Sequence, residues 1–328
     1  MHKDPPILVE LFAGSAALTR HVVGAPSRLV SWLGGKLRVA DTLARTLDLS
    51  SRAELGGVLL CDAGPWGWVH PVLLDAETRA AVVAFLRRWA TTCPACDGAG
   101  RVQESACRTC ARSKAGSGGG PDASDLWQWL ASQPPRVDLA ERTASWVILQ
   151  SGSARGRPVD IVDGAWQTAG YAHLTHGARD KGFTSRLHLP RISDRVARLE
   201  EGAWPSVACV HGSALDALPM VLALGRRARV LLDPPYHRDG EQDRDRTGYG
   251  ADLPLADTLQ MAAQLNDAGA LVTICEGGPL ARDLGPGWFS YDCSSHFTGR
   301  VVGREWVTCN RRQPFLDGPA QQRLFPLG

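Results

Sequence analysis

Asp233-Pro234-Pro235-Tyr236 directly follows the apolar run Arg229–Leu232, which places it at the carboxyl end of a strand, where open α/β sheets form their ligand crevices. The tetrapeptide suits one demanding task, the activation of an amino group conjugated to an aromatic ring. Asp233 can accept one hydrogen bond from such a group, and Pro234 offers a second acceptor through a backbone carbonyl held by the rigid Pro-Pro unit. Two acceptors draw the hydrogens out of the ring plane and free the nitrogen lone pair to attack a sulfonium methyl. Tyr236 supplies a flat face on which the ring can stack. A surface turn after a strand is the plain alternative, since proline is frequent in turns.

Glu10-Leu11-Phe12-Ala13-Gly14-Ser15-Ala16-Ala17-Leu18 reads as a strand, a turn of small residues and a helix start. Gly14 and its small neighbours let a ligand approach the backbone, and Ser15 is placed to cap the helix. Ser31-Trp32-Leu33-Gly34-Gly35-Lys36 also leads into a helix. Its two glycines before a lysine lack the spacing of a nucleotide-binding phosphate loop, so that reading is set aside.

Cys93-Pro94-Ala95-Cys96 and Cys107-Arg108-Thr109-Cys110 form two C-x-x-C pairs separated by ten residues. This spacing predicts a closed tetrahedral thiolate site for a structural zinc ion, with Cys93, Cys96, Cys107 and Cys110 as ligands and no role in the chemistry. Gly98 and Gly100 permit the tight turn after the first pair. A redox dithiol pair or unliganded thiols are the alternatives. The window Gly170–Arg198 holds six Lys and Arg residues against Asp180 and Asp194, with Tyr171 and Phe183 interleaved. Such a mixture suits phosphate contacts with stacking or wedge insertion, and Arg179, Lys181, Phe183 and Arg186 are the candidate DNA contacts. For Arg191–Arg198 a solvated helix face is the competing reading. The mixed-charge run His237–Arg246 reads as a loop over the base pocket.

Taken together, Glu10–Leu18, Trp32–Lys36 and Asp233–Tyr236 resemble the Dam-type DNA adenine methyltransferases, through that family's cofactor turn, its W-x-G-G-K segment and its D-P-P-Y tetrapeptide. Thr247-Gly248-Tyr249 and Glu305–Asn310 resemble weaker downstream elements of the family. The resemblance implies an α/β, doubly wound, Rossmann-like methyltransferase sheet of about seven strands. It further implies S-adenosyl-L-methionine as cofactor, and methyl transfer to adenine N6 of a base flipped out of double-stranded DNA. On this basis Asp233, Pro234, Pro235 and Tyr236 are the catalytic residues. The cofactor residues are Glu10, Phe12, Ala13, Gly14, Ser15, Trp32, Lys36, Asp62 and Asp233, with Lys36 near the cofactor carboxylate and Asp62 on the ribose hydroxyls. For Asp62, an aspartate that caps a strand-end turn is an equal alternative. Two departures stand out: Trp32–Lys36 follows the cofactor turn instead of preceding it, and Ala16 replaces the family's second glycine. That replacement suits a position that needs no positive φ. Near Gly212–Asp216 the family often carries an acid one or two places earlier, and Asp216 is the candidate substitute.

The elements that must position these groups are strand-length apolar runs at Ile7–Phe12, Val58–Cys61, Val207–Val210, Arg229–Leu232, Ala270–Cys275, Trp288–Tyr291 and Glu305–Cys309. Helix-like stretches at Leu37–Leu47, Thr78–Trp89 and Leu255–Ala268 separate several of them, which predicts a mainly parallel sheet closed by a final hairpin. The middle of the chain differs, with its cysteine cluster, the linker-like Ser113–Gly120 stretch and Trp-rich and Arg-rich sequence. The expected organisation is therefore residues 1–90 and 206–328 as the two parts of a methyltransferase domain, with residues 91–205 as an insertion carrying zinc and DNA recognition.

With 36 basic and 34 acidic residues the net charge is +2, so any nucleic-acid footprint must be local. Five of the nine cysteines, Cys61, Cys209, Cys275, Cys293 and Cys309, lie mostly in strand-like runs and read as core residues. No apolar run reaches the ~18 residues of a membrane span. The run Ile7–Phe12 is too short for a signal-peptide core, and a cytoplasmic location is expected. Cytosine N4 remains a competing substrate, because the same activation serves any amino group on a base. A catalytically inactive, zinc-containing DNA-binding protein of the same fold is the alternative from another class.

Overall fold

The computed structural model describes residues 4–25, 29–30, 36–50, 54–97, 101–102, 105–107, 123–153, 156–171, 188–235, 253–293 and 305–317. Its strands are β1 (Ile7–Leu11), β2 (Gly57–Asp62), β3 (Arg101–Val102), β4 (Ser105–Ala106), β5 (Asp160–Val162), β6 (Ala165–Gln167), β7 (Val207–His211), β8 (Ala228–Leu232), β9 (Leu271–Glu276), β10 (Phe289–Asp292) and β11 (Trp306–Cys309). Seven of them form one sheet in the order β10-β11-β9-β8-β1-β2-β7. The five from β9 to β7 pair in parallel, while β11 is antiparallel to both β9 and β10. All seven expected strand runs are present within a residue or two of their expected bounds. The closing hairpin is present too, but β11 inserts between β9 and β10, so its first strand, β10, forms the sheet edge.

The central strands explain their own sequences. β1 is buried along nearly its whole length, so it reads as an apolar run without alternation, as expected of a strand covered on both faces. Val9 and Leu11 share a core with Ala214, Val221, Met261, Leu265, Val230 and Ile274, and the helices Ala214–Leu224 and Leu255–Asp267 supply its outer layer. Glu10 lies between them in sequence and must point to the opposite face. There it meets the helix Ala17–Val23, so helices cover both faces and the sheet is doubly wound. Ser213 and Asp216 start the helix Ala214–Leu224 as a capping box, with the Ser213 N–H donating to Asp216 Oδ2 at 2.9 Å. Asp216 thus serves a helix start.

The chain divides into two compact units, residues 1–27, 36–67 and 203–328 around the seven-stranded sheet, and residues 28–35 and 68–202. The helix Ala76–Thr91 goes with the second unit because it packs on the helices Leu139–Gly152 and Leu189–Ala197. The N-terminal part of the sheet unit comprises residues 1–27 and 36–67. The tryptophans of the second unit build its core. Trp146 is fully buried and its Nε1 donates to the Val159 carbonyl at 2.7 Å, while Trp127 Nε1 donates to the Leu149 carbonyl at 2.8 Å. Among the described residues, no helix is long and apolar enough to cross a membrane.

Candidate functional site

In chain order the first five strands of the sheet lie as 3-2-1-4-5, and the direction of winding reverses between β1 and β8. Open α/β sheets form their ligand crevice at this switch point, beyond the carboxyl ends of the two strands. Phe12-Ala13-Gly14 leaves β1 there, and Asp233-Pro234-Pro235 leaves β8. The two segments are joined, since the Asp233 N–H donates to the Leu11 carbonyl at 3.4 Å.

The turn after β1 is anchored on β2. The Ala13 N–H donates to the Cys61 carbonyl at 2.8 Å and the Gly14 N–H to Asp62 Oδ2 at 2.7 Å. The other carboxylate oxygen of Asp62 accepts the Gly64 N–H at 2.8 Å. Of the two readings of Asp62, the turn-capping role is therefore on display. Phe12, Gly14 and Ala16 all have left-handed backbone, with φ of 66°, 46° and 49°. An alanine at 16 was expected only at a position without positive φ; instead the turn makes that demand, and the alanine meets it at a cost of ~1–2 kcal/mol. Strain of this kind persists where its surroundings over-determine it, commonly at ligand sites.

The expected Ser15 cap is also corrected. Ala16 occupies the N-cap position and has no side-chain acceptor, so the acceptor comes from a neighbouring strand. Glu10 Oε1 accepts the Thr19 N–H at 2.6 Å, which places a carboxylate on the positive end of the helix. Glu10 is almost fully buried, and burial raises its pKa to about 7, against the lowering influence of the Thr19 bonds. The Ser15 backbone carbonyl accepts from the guanidinium of Arg20, which is itself buried and lies 5.8 Å over the Trp66 ring. Burial lowers the Arg20 pKa to about 10, with Glu10 opposing the shift.

Lys36 begins the short 3-10 helix Lys36–Val39 and is buried. Its Nζ lies 2.8 Å from Asp233 Oδ1 and 3.5 Å from Glu305 Oε1. The expected neighbour of Lys36 was a cofactor carboxylate; in the structure its ammonium is on Asp233. Glu276 ends β9, and Glu305 directly precedes β11, so two further buried acids flank the same strand ends. Burial raises the Asp233 pKa to about 6, Lys36 opposes the shift, and Glu305 and Glu276 add to it. Glu276 was not among the residues expected at the site, although a lone acid closing the apolar run Leu271–Cys275 was a usable signal.

In the second unit, Cys93, Cys96 and Cys107 bring their sulfurs within 4.8 Å of one another, and Cys93 and Cys107 are buried. The Cys93–Cys107 separation is 3.8 Å. A tetrahedron with Zn–S bonds of ~2.3 Å has S···S edges of ~3.8 Å, so this donor set fits a zinc ion. The Cys96 N–H folds back on the Cys93 carbonyl at 3.4 Å, and the left-handed residue after the knuckle is Asp97, with φ 48°. The β3–β4 hairpin then delivers Cys107. The five cysteines assigned to the core are all at least partly buried, with only Cys209 on the edge strand β7 reaching partial exposure.

Tyr236, Trp32, Cys110, Gly98, Gly100, Arg179, Lys181, Phe183, Arg186, His237–Arg246 and Thr247–Tyr249 lie outside the described residues. No protein-family model matches this chain, and no curated protein matches it. The chain carries a Rossmann-like α/β sheet with a topological switch point, a strained backbone turn and the Asp233–Lys36 ion pair at that point, and a cysteine cluster able to hold a metal ion.

Proposed function

We propose that this protein is an S-adenosylmethionine-dependent methyltransferase acting on the N6 amino group of adenine in duplex DNA. One observation carries the reading: the small-residue turn after β1 and the Asp233-Pro234-Pro235 segment after β8 meet at the switch point of the sheet.

In this reading, Phe12, Ala13 and Gly14 let the cofactor approach the backbone, and Asp62 holds that turn on β2. The cofactor supplies an electrophilic methyl group on a sulfonium. Asp233 accepts one hydrogen of the target amino group through its carboxylate, and the Pro234 carbonyl accepts the other. Together they localise the nitrogen lone pair for attack. Tyr236 stacks on the flipped base and compensates part of its lost stacking in the duplex. With its pKa held near 6, Asp233 is mostly ionised at neutral pH and can act as an acceptor.

The insertion would provide DNA contacts through Arg179, Lys181, Phe183 and Arg186, stiffened by a zinc ion on Cys93, Cys96, Cys107 and Cys110. The test is transfer of labelled methyl from S-adenosylmethionine to duplex DNA, with the modified base identified after hydrolysis. N6-methyladenine is expected; N4-methylcytosine would move the substrate assignment. Asp233→Ala should lose transfer while retaining cofactor binding measured by calorimetry. Turnover by that variant, or a parent protein that binds no cofactor, would overturn the reading.

A further inference from the structure

Charged groups from several elements converge on the Asp233 carboxylate. Lys36 reaches it from the 3-10 helix after the first unit's opening helix, Glu305 from the start of β11, Glu276 from the end of β9, and Glu10 approaches from β1. Cys275, also on β9, is a further titratable neighbour among the described residues, and burial keeps its thiol protonated. Lys36 is the close cation of this set. It sits between two acids, 2.8 Å from Asp233 Oδ1 and 3.5 Å from Glu305 Oε1. Glu305 is itself fixed to the sheet, because its backbone carbonyl accepts the Cys293 N–H at 2.8 Å.

We propose that Lys36 is a positioning residue for Asp233 that holds its carboxylate in the accepting state, and that Glu305 opposes it by repelling the same carboxylate. This rests on the methyl-transfer reading above. The physical reason is desolvation. A carboxylate buried without a counter-charge takes up a proton, and a protonated Asp233 is a poorer acceptor for an amino group. Lys36 counteracts that tendency from 2.8 Å. Glu305 repels Asp233, so the two partners should shift its titration in opposite directions, which a merely structural contact would not do.

The experiment follows the Asp233 carboxyl by ¹³C NMR through a pH titration, its signal identified by its loss in Asp233→Asn. In parallel, single-turnover methyl transfer to duplex DNA is measured over the same pH range. Lys36→Met should raise the Asp233 midpoint and the acid limb of the rate profile by about 1–3 units, with transfer returning at high pH. Glu305→Gln should lower both, and Lys36→Arg should leave both near the parent values. If Lys36→Met does not fold, Glu305→Gln and Lys36→Arg read the same titration. Unmoved midpoints in the folded variants would overturn the proposal. So would a Lys36→Met variant that binds S-adenosylmethionine about tenfold more weakly with its midpoints unchanged, because Lys36 would then serve the cofactor. NMR midpoints that move as expected in a protein that transfers no methyl group would sink the methyl-transfer reading alone and leave the buried charge arrangement standing.

Discussion

Asp62 at the end of β2 and Gly14 in the turn after β1 are tied by a 2.7 Å hydrogen bond from the glycine N–H to the aspartate carboxylate. The same side chain also accepts the Gly64 N–H, so one residue holds two loops at the mouth of the sheet. Hydrogen bonds to a charged acceptor contribute ~1.5–3 kcal/mol each. Asp62→Ala is therefore expected to lower stability by about 3 kcal/mol in urea unfolding and to weaken S-adenosylmethionine binding in calorimetry. Asp62→Asn keeps one acceptor oxygen and should fall between. An alanine variant with parental stability would mean that the turn holds itself.

Glu10, which is buried, and Asp233, which is partly exposed, make stability depend on pH in a sense opposite to that of most carboxylates. In the folded protein Glu10 titrates near 7 and Asp233 near 6, both raised chiefly by burial. A raised pKa means the folded state binds the proton more tightly. The contribution is full below the unfolded values near 4 and is lost as pH rises through 6 to 7. For Glu10 the loss amounts to about 3 kcal/mol. Glu10→Gln retains an acceptor for the Thr19 N–H and removes the titration. Its unfolding midpoint should fall less than the parent's between pH 5 and pH 8. Equal slopes in the two proteins would contradict the assignment.

Ala16 offers a backbone test. A β-branched side chain in the left-handed region is far worse than alanine, and this position is buried, so Ala16→Val should cost about 3 kcal/mol or more. Ala16→Gly relieves the strain but gives up a buried methyl worth ~0.8 kcal/mol and adds chain entropy of ~0.5–1 kcal/mol. It should lie within about 1 kcal/mol of the parent. Thermal unfolding of both variants reads the difference, and a benign valine would show that the turn takes another conformation in solution.

For the cysteine cluster, elemental analysis should find about one zinc per chain. A strong chelator should remove the metal, expose the Cys93 and Cys107 thiols to a thiol reagent and lower the melting temperature. Cys93→Ser combined with Cys107→Ser should give the same unmetallated protein. Metal-free native protein with the same melting temperature as a zinc-loaded sample would exclude a structural ion.

The strands, their order of appearance and the strand-end position of Asp233 were legible because apolar runs and a Pro-Pro stop are local signals. The cap on the helix Ala17–Val23 was not. Its acceptor, Glu10, comes from the adjacent strand and displaces the nearby serine that local rules favour. The pairing of Lys36 with Asp233 and Glu305 joins three segments distant in the chain, and only the sheet order brings them together. The insertion of β11 between β9 and β10 is of the same kind: the hairpin is local, its docking register is not. The clustering of Cys93, Cys96 and Cys107 was readable because these cysteines are close in sequence, so spacing alone carries the geometry.

The parallel pairing of Leu11 with Leu232 has a consequence for how the chain assembles. The two strands that meet at the switch point are separated by residues 12–227, a loop whose closure carries an entropic cost of about 5 kcal/mol before any contact at the site can compensate. Pairing of this kind is intrinsically slow, so β1 and β8 should join late in refolding. Asp233, Lys36 and Glu305 then remain apart for most of that time, each free to ionise as in an unfolded chain. Recovery of the raised carboxyl titration should accordingly lag behind recovery of helix signal after dilution from denaturant, making the site among the last features of the molecule to exist.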